Sequence, residues 1–117
     1  MSENIIVDKS FDFAVRIVNL HKYLTIEQKE YVMSKQLLRS GTSIGANVSE
    51  AERAQSKADF ISKMNIALKE ANETNYWLKL LNKTDYLSRS QYDSINTDIN
   101  ELIKLLIAIC KTSNLNR

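Results

Sequence analysis

No proline occurs among the 117 residues of the chain, and both glycines, Gly41 and Gly45, lie in one short segment. Proline and glycine interrupt regular structure and mark turns, so a chain with so few of them is expected to form long, uninterrupted helices. Its 44% hydrophobic and 26% charged residues are typical of a globular protein. We therefore expect an all-α fold, with residues 1–117 forming a single domain that has its own core.

Apolar residues recur at three- and four-residue steps in four segments, which predicts helices at about 10–23, 26–54, 57–82 and 89–113. Short connections between such helices favour an antiparallel up-down-up-down four-helix bundle. The clearest seams are Phe60, Met64, Ala67, Ala71, Thr74, Leu78 and Leu81 in the third helix, and Tyr92, Ile95, Ile99, Leu102, Leu106 and Ile109 in the fourth. Further apolar residues in the fourth helix exceed the needs of one core and indicate an oligomer interface.

Helix starts are predicted from hydroxyl residues placed three positions before a polar partner. Thr25 with Gln28, Ser56 with Asp59 and Ser88 with Gln91 show this capping pattern. For the first helix, Asp8 or Ser10 is the expected cap, and residues 1–9 are expected to form a lead-in that lies on the bundle. Two neighbouring apolar stripes are predicted in that helix, and a face of this width indicates contacts on two sides. One stripe comprises Phe11, Ala14 or Val15, Val18 and His21, and the other Phe13, Ile17, Leu20 and Leu24.

The second predicted helix contains both glycines, although each costs about 1 kcal/mol relative to alanine in a helix interior. Gly41 and Gly45 are four residues apart, and Ser49 continues the spacing. Such a ridge lets another backbone lie close, so we expect tight helix packing here. The alternative is a helix break at Gly41. A core stripe of Leu37, Ser40, Ile44, Asn47 or Val48, and Ala51 is expected on the same helix.

Polar side chains in this helix recur at steps that can place them on one face, and acidic residues of the third helix can meet them. A guanidinium that becomes buried needs a carboxylate partner, because desolvation otherwise outweighs the attraction. Two interpretations stay open: a satisfied polar network that fixes helix register and oligomer state, or a functional binding surface. The network residues are Arg39, Ser40, Ser43, Asn47, Glu50 and Glu73, with Glu70 as a further partner.

Nucleic-acid binding is suggested by local clusters of basic residues, although the formal net charge of +2 is too small to imply it. The candidate contacts are Arg53, Lys57 and Lys63, and a second cluster comprises Lys79, Lys83 and Arg89. Tyr76 and Trp77 could stack on bases. The alternatives are a solvated charged surface for the clusters and a packing role for Trp77.

Catalytic, cofactor and metal sites are not expected, because His21 is the only histidine and Cys110 the only cysteine. Cys110 lies in an apolar run and is expected to be a buried, reduced thiol. The sequence shows neither a secretory signal nor an apolar stretch long enough to span a membrane. A cytoplasmic location is therefore expected, with neither a membrane nor a small-molecule substrate as a partner.

The central segment resembles a bacterial four-helix-bundle family whose founding members are encoded in intervening sequences of 23S ribosomal RNA genes. The resemblance rests on Gln36–Glu50 with its Gln-Leu-x-Arg-Ser and Ser-Ile-x-Ala-Asn elements, on Asp59-Phe60 and on Ile66–Thr74. The family signature falls on the polar network given above. One departure is Ala51, where many members have glycine, and another is the nearly neutral charge of this chain.

The resemblance implies a homo-oligomer, a pentamer in barrel form, without enzymatic activity. The family is similar to the accessory protein of diversity-generating retroelements, a pentamer that binds nucleic acid and a reverse transcriptase. Our leading hypothesis is a non-enzymatic, homo-oligomeric helical bundle associated with RNA or a ribonucleoprotein. The alternative is a protein-interaction scaffold that docks a partner such as a polymerase without touching nucleic acid.

Overall fold

A computed structural model of the chain consists of four α-helices joined by short loops. It describes residues 2–115, and the side chains of residues 5–113. The helices are α1 (Ser2–Ile26), α2 (Met33–Glu52), α3 (Lys57–Lys83) and α4 (Arg89–Leu115). The part of the chain from 2 to 115 contains no strand, so the prediction of an all-α fold is confirmed.

The four helices form an elongated bundle of 46 × 21 × 19 Å. Each helix packs against two others: α2 lies against α1 and α3, and α4 lies against α3 and α1. The core runs along the middle of this ring. Its largest fully buried side chains are Ile6, Ile17, Leu24, Leu37, Ile44, Met64, Leu78, Leu81, Leu87, Ile99, Leu102 and Leu106.

The first helix begins at Ser2, so the prediction of a lead-in over residues 1–9 followed by a cap at Asp8 or Ser10 is wrong. Ile6 is completely buried and extends the core stripe by two turns toward the N-terminus. Ser10 also faces inward, and its hydroxyl donates to the Val7 carbonyl within the helix instead of capping it. Burial of Ile6 is the tertiary contact that keeps these early turns helical.

Of the two apolar stripes expected on α1, only one lies in the core. Phe13, Ile17 and Leu24 are buried. The stripe that begins at Phe11 faces outward, with Phe11 68% and Val15 46% exposed. The first helix therefore carries apolar side chains on both its inner and its outer surface.

The loop between α1 and α2 overturns the predicted start of the second helix. Thr25 belongs to the last turn of α1, where its hydroxyl donates to the His21 carbonyl, and Gln28 donates to the hydroxyl of Tyr23. The helix predicted from residue 26 instead begins at Met33. Lys29 has φ = 56°, in the left-handed region, and this turns the chain between the two helices.

The amide groups at the start of α2 are satisfied by Glu30. Its buried carboxylate accepts hydrogen bonds from the backbone N–H groups of Val32, Met33 and Ser34, at 3.1, 3.0 and 2.7 Å. The Ser34 hydroxyl in turn donates to the Glu30 carbonyl. An acidic side chain at this end also interacts favourably with the helix dipole.

The other predicted caps are present. Ser56 accepts from the Asp59 N–H, which starts α3. Ser88 accepts from the Gln91 N–H while the Gln91 side chain accepts from the Ser88 N–H, a complete capping box at α4. These helices begin where local pattern places them.

The core seams follow the predicted spacing with small shifts. In α2 the buried residues are Ser34, Leu37, Ser40, Gly41, Ile44, Val48 and Ala51, with no break at Gly41. In α3 they are Ile61, Met64, Ala67, Ala71, Thr74, Leu78 and Leu81, so Ile61 replaces Phe60, which is half-buried. Tyr92 at the start of the α4 seam is also half-buried.

Candidate functional site

The small-residue segment of α2 brings that helix close to α1. A Cβ atom on Gly41 would lie only 2.8 Å from both γ-carbons of Ile17, which leaves no room for a methyl group. Ser49, the expected third member of the ridge, is exposed and does not join this contact. The close approach is seen at Gly41 and Gly45.

Arg39 is the centre of an ionic cluster between α2 and α3. Its guanidinium donates to the carboxylates of Glu70, at 3.2 Å, and Glu73. Gln36 accepts from its Nε atom, and the indole N–H of Trp77 donates to the same Glu73 oxygen at 3.0 Å. The Arg39 side chain is 48% exposed, so the guanidinium lies at the surface and keeps contact with water.

Ser40 and Thr74 form a separate pair, which is fully buried next to this cluster. The Thr74 hydroxyl lies 3.0 Å from that of Ser40, and each hydroxyl is also within hydrogen-bond reach of a backbone carbonyl in its own helix. Both side chains are fully buried, and a buried hydroxyl is stable only when its hydrogen bonds are made. This pair therefore joins α2 to α3 inside the bundle.

The remaining predicted network residues do not join these two groups. Ser43 donates to the Arg39 carbonyl and Asn47 to the Ser43 carbonyl, so both bond within α2. Glu50 instead pairs with Lys63 at 3.3 Å near the other end of α3. The predicted single network is thus divided. Arg39 with Glu70 and Glu73, Ser40 with Thr74, and Glu50 with Lys63 reach across to α3, whereas Ser43 and Asn47 bond within α2.

The predicted nucleic-acid contacts lie around the α2–α3 loop. Arg53 is exposed just after α2, and Lys57 is exposed in the first turn of α3. Lys63 is half-buried and engaged by Glu50. Its charge is therefore partly neutralised, which weakens this cluster as a polyanion surface.

An exposed apolar row, which we call the α1 strip, runs along the outside of the first helix. Phe11, Val15 and Val18 are 68%, 46% and 39% exposed and follow helical spacing. Beside it, a groove of about 670 Å³ lies between α1 and α2. The groove is lined by Val7, Asp8, Phe11, Asp12, Ala14, Thr42, Gly45, Ala46, Val48 and Ser49.

The apolar surplus expected on α4 is smaller than the α1 strip. Ile107 is 46% exposed, whereas Cys110 is buried and Ile103 and Leu105 are half-buried. Burial of the Cys110 thiol raises its pKa above the ordinary value. The larger uncovered apolar surface is on α1, the helix whose wide apolar face indicated contacts on two sides.

A second groove, which we call the α3–α4 groove, lies where α3 ends and α4 begins. Its volume is about 480 Å³. It is lined by Tyr76, Lys79, Leu80, Asn82, Lys83, Arg89 and Tyr92. The sequence identified its three cations as a cluster but did not associate Tyr92 with them.

The described part of the chain shows no group of side chains that could hold a metal ion. No three His, Cys, Asp or Glu side chains come together there as a metal site would require. His21 is half-buried near the end of α1, and its own carbonyl accepts from Thr25. Between residues 2 and 115, no helix is both long and apolar enough to cross a membrane.

Comparison with known proteins finds a family model and a solved structure that agree with each other. The family model described as 23S rRNA-intervening sequence protein matches residues 2–108. A Bacteroides thetaiotaomicron protein of unknown function, from the S23 ribosomal protein family, has a crystal structure that is similar to this chain with a TM-score of 0.93. The two are 68% identical over 95% of this chain and 99% of that one. No curated protein matches.

Proposed function

Because the chain belongs to the 23S rRNA-intervening sequence protein family, we propose that it is a non-enzymatic, homo-oligomeric helical bundle that associates with RNA or a ribonucleoprotein. The family name links its members to ribosomal RNA genes, and the similar Bacteroides protein is assigned to a ribosomal protein family. The observation that carries the oligomer is the α1 strip. RNA association rests on the family and on basic residues near both ends of α3.

The α1 strip supports self-association because it leaves large apolar side chains in water. Burying one such side chain contributes about 1.5–3 kcal/mol, so covering Phe11, Val15 and Val18 would stabilise an assembly by several kcal/mol. The groove beside the strip is lined with small residues such as Gly45 and Ala46 and is shaped to receive side chains from another helix. A second copy of this chain is the occupant we propose, and the family resemblance favours a pentameric barrel.

We infer that the bundle is antiparallel, with helices running alternately up and down. Paired residues rise in number along one helix as they fall along its neighbour, which supports this arrangement. The pairs are Arg39 with Glu73 and Glu50 with Lys63 between α2 and α3, and Ile17 with Gly41 and Ser10 with Gly45 between α1 and α2. In this arrangement the two basic clusters lie at opposite ends of the bundle.

The first experiment is a mass measurement by light scattering, repeated with a short structured RNA at low and moderate salt. We expect a particle of several copies that takes up RNA at low salt and releases it as salt rises, because phosphate contacts release counterions. A stable monomer would contradict the oligomer. An oligomer that ignores RNA at every salt concentration would contradict RNA association.

The interface is tested with two substitutions of equal exposure. Val15→Asp and Ile107→Asp each place a charge on an apolar residue that is 46% exposed, one on α1 and one on α4. We expect Val15→Asp to reduce the particle mass and Ile107→Asp to leave it unchanged. The reverse result would move the interface to α4.

A protein-interaction scaffold is the second candidate function, since the same strip and groove are apolar enough to hold a helix of another protein. In that case the oligomer docks a partner such as a polymerase, and nucleic acid is not needed. The salt series separates the candidates, because protein docking through apolar contacts depends little on salt. Particle growth with RNA favours the leading proposal.

A further inference from the structure

The α3–α4 groove combines positive charge with aromatic rings on one surface. On α3, Tyr76, Lys79, Leu80 and Lys83 follow i, i+3, i+4, i+7 spacing and therefore share one face. On α4, Arg89 at the start of the helix and Tyr92, one turn further on, face these residues. Two helices thus supply one surface with three cations, two phenol rings and an apolar floor at Leu80.

The cations of this groove are available to an external anion. Lys79 and Lys83 are exposed, and neither forms an ion pair within the described residues. Arg89 pairs with Asp93 at 3.3 Å, but its side chain is 85% exposed and the pair follows i,i+4 spacing. Exposed pairs of this kind contribute about 0.3–0.5 kcal/mol, so a phosphate can compete for the guanidinium.

Tyr76 presents an exposed ring beside Trp77. Its ring is 57% exposed and meets the Trp77 ring edge-to-face, with centroids 5.1 Å apart and planes at 75°. Trp77 is in turn fixed by its hydrogen bond to Glu73. An exposed aromatic face is a stacking platform for a base, and such stacking is sequence-tolerant.

We propose that the α3–α4 groove binds unpaired nucleotides of a single-stranded nucleic acid. Tyr76 and Tyr92 stack on bases, and Lys79, Lys83 and Arg89 contact phosphates. Paired bases in a duplex expose no faces to these rings, so single strands are the preferred class. An acidic peptide matches the charges but has no planar groups for the two rings. This inference rests on the RNA association of the proposed function and assigns it to one surface.

Two triple variants with the same loss of charge test the site. Lys79→Gln, Lys83→Gln and Arg89→Gln together remove the groove cations, while Arg53→Gln, Lys57→Gln and Lys63→Gln remove three cations at the α2–α3 corner. The probe is a fluorescein-labelled oligoadenylate RNA, measured by anisotropy across a salt series, with the DNA oligomer and an RNA duplex as further arms. Circular dichroism checks that each variant remains folded.

We expect only the groove triple to lose affinity and to flatten the salt dependence, by about 0.7 in the logarithmic slope for each phosphate contact removed. Tyr76→Ala should weaken binding about 5- to 150-fold, the equivalent of 1–3 kcal/mol for one stacked base. Tyr31→Ala is the matched control, because Tyr31 is 60% exposed but lies outside the groove. Binding of either single strand supports the site, and a preference between them identifies the natural source.

The sole tryptophan gives a readout that depends on the site itself. A base stacked on Tyr76 changes the surroundings of Trp77, so its emission should shift as oligoadenylate is added, and this shift should disappear in Tyr76→Ala. Saturable binding without any change in Trp77 emission would overturn the proposal.

Other results would overturn the inference while leaving RNA association intact. Loss confined to the Arg53, Lys57 and Lys63 triple would place binding at the other corner, and equal loss in both triples would indicate general electrostatics. Tighter binding of the duplex, or full competition by polyglutamate without any effect of Tyr76→Ala, would exclude nucleotide stacking. If no RNA binds the unmodified protein at low salt, the proposed RNA association itself fails.

Discussion

The backbone carbonyl oxygen of Ser10 lies 3.2 Å from the point where a Cβ atom would stand on Gly45. The distance between α1 and α2 is therefore set by backbone atoms at this level. A methyl group at residue 45 would require the helices to move apart by a few tenths of an ångström. At Gly41 the obstacle is instead the buried side chain of Ile17.

The two glycines should respond differently to alanine. Gly41→Ala should destabilise the bundle, since overpacking costs about 1–3 kcal/mol and improved helix propensity returns only about 1 kcal/mol. Gly45→Ala should cost less than Gly41→Ala, because a shift of a few tenths of an ångström relieves its 3.2 Å contact, and Gly45→Leu should disrupt packing and assembly. Urea unfolding measures the change in the free energy of unfolding for each variant. A Gly41→Ala variant as stable as the parent would show that the Ile17 side chain moves aside at little cost.

Loss of the Glu30 carboxylate should weaken the start of α2. Glu30→Ala leaves three N–H groups without their acceptor, and removing a helix cap costs about 0.5–2 kcal/mol. Glu30→Gln keeps one carbonyl acceptor and should cost less. Glu27→Gln, an exposed change in the same loop, is the control for charge. Equal stability of all three variants would mean that the cap contributes little.

The Glu30 contribution should depend on pH. Burial raises the pKa of this carboxyl, but the hydrogen bonds from Ser34, Met33 and Val32 outweigh burial and hold the pKa below its ordinary value of 4.5. The stabilisation is therefore present above pH 4.5 and lost as the pH falls through the lower pKa of the folded state. The stability difference between the parent and Glu30→Gln should shrink over that acidic range. A constant difference down to pH 2 would contradict this account.

The ion pair of Arg39 with Glu73 should contribute little to stability. Both groups are more than a third exposed, and exposed pairs contribute about 0.2–1 kcal/mol. A double-mutant cycle of Arg39→Ala and Glu73→Ala should give a coupling energy in that range, smaller at high salt. Glu73→Ala should also alter Trp77 emission, because the indole loses its acceptor. A coupling energy well above 1 kcal/mol would mean that the cluster is better shielded than its exposure indicates.

Cys110 should react slowly with thiol reagents in the folded protein. The side chain is 6% exposed, and burial raises its pKa, so access and thiolate content are both reduced. Labelling by a maleimide near pH 8 should accelerate by orders of magnitude when denaturant unfolds the bundle. Equal rates in both states would contradict the buried position.

Local sequence was enough to predict the helix starts at Ser56 and Ser88, because their caps involve residues only three positions apart. It failed at Thr25, where the same pattern falls inside the last turn of α1. The true acceptor, Glu30, depends on the left-handed turn at Lys29, and no hydrophobic period reveals that turn. The two adjacent apolar stripes of α1 indicated contacts on two sides, but helical spacing alone does not show that the stripe of Phe13 faces the core and that of Phe11 faces outward.

The polar residues were predicted as one network because helical spacing shows which side chains share a face but not which partner each chooses. Ser43 and Asn47 bond to carbonyls of their own helix, an alternative always open to such side chains. Tyr92 lies on α4 and joins the α3–α4 groove only because α4 packs against α3 with this side toward it. Its neighbours on α3, from Tyr76 to Lys83, already had the spacing that predicts a shared face.

The ring of helix contacts also bears on how the chain folds. Three of the four interfaces join helices that are consecutive in sequence, and only the α1–α4 interface, with its Arg16 to Asp98 ion pair, connects distant segments. Closing that long loop costs the most chain entropy, and its interface is the smallest. We expect α1 and α4 to dock last during folding and to separate first in native-state hydrogen exchange. Amide protons of Ile44 in α2 should therefore outlast those near Arg16, and the opposite order would show that the ring closes early.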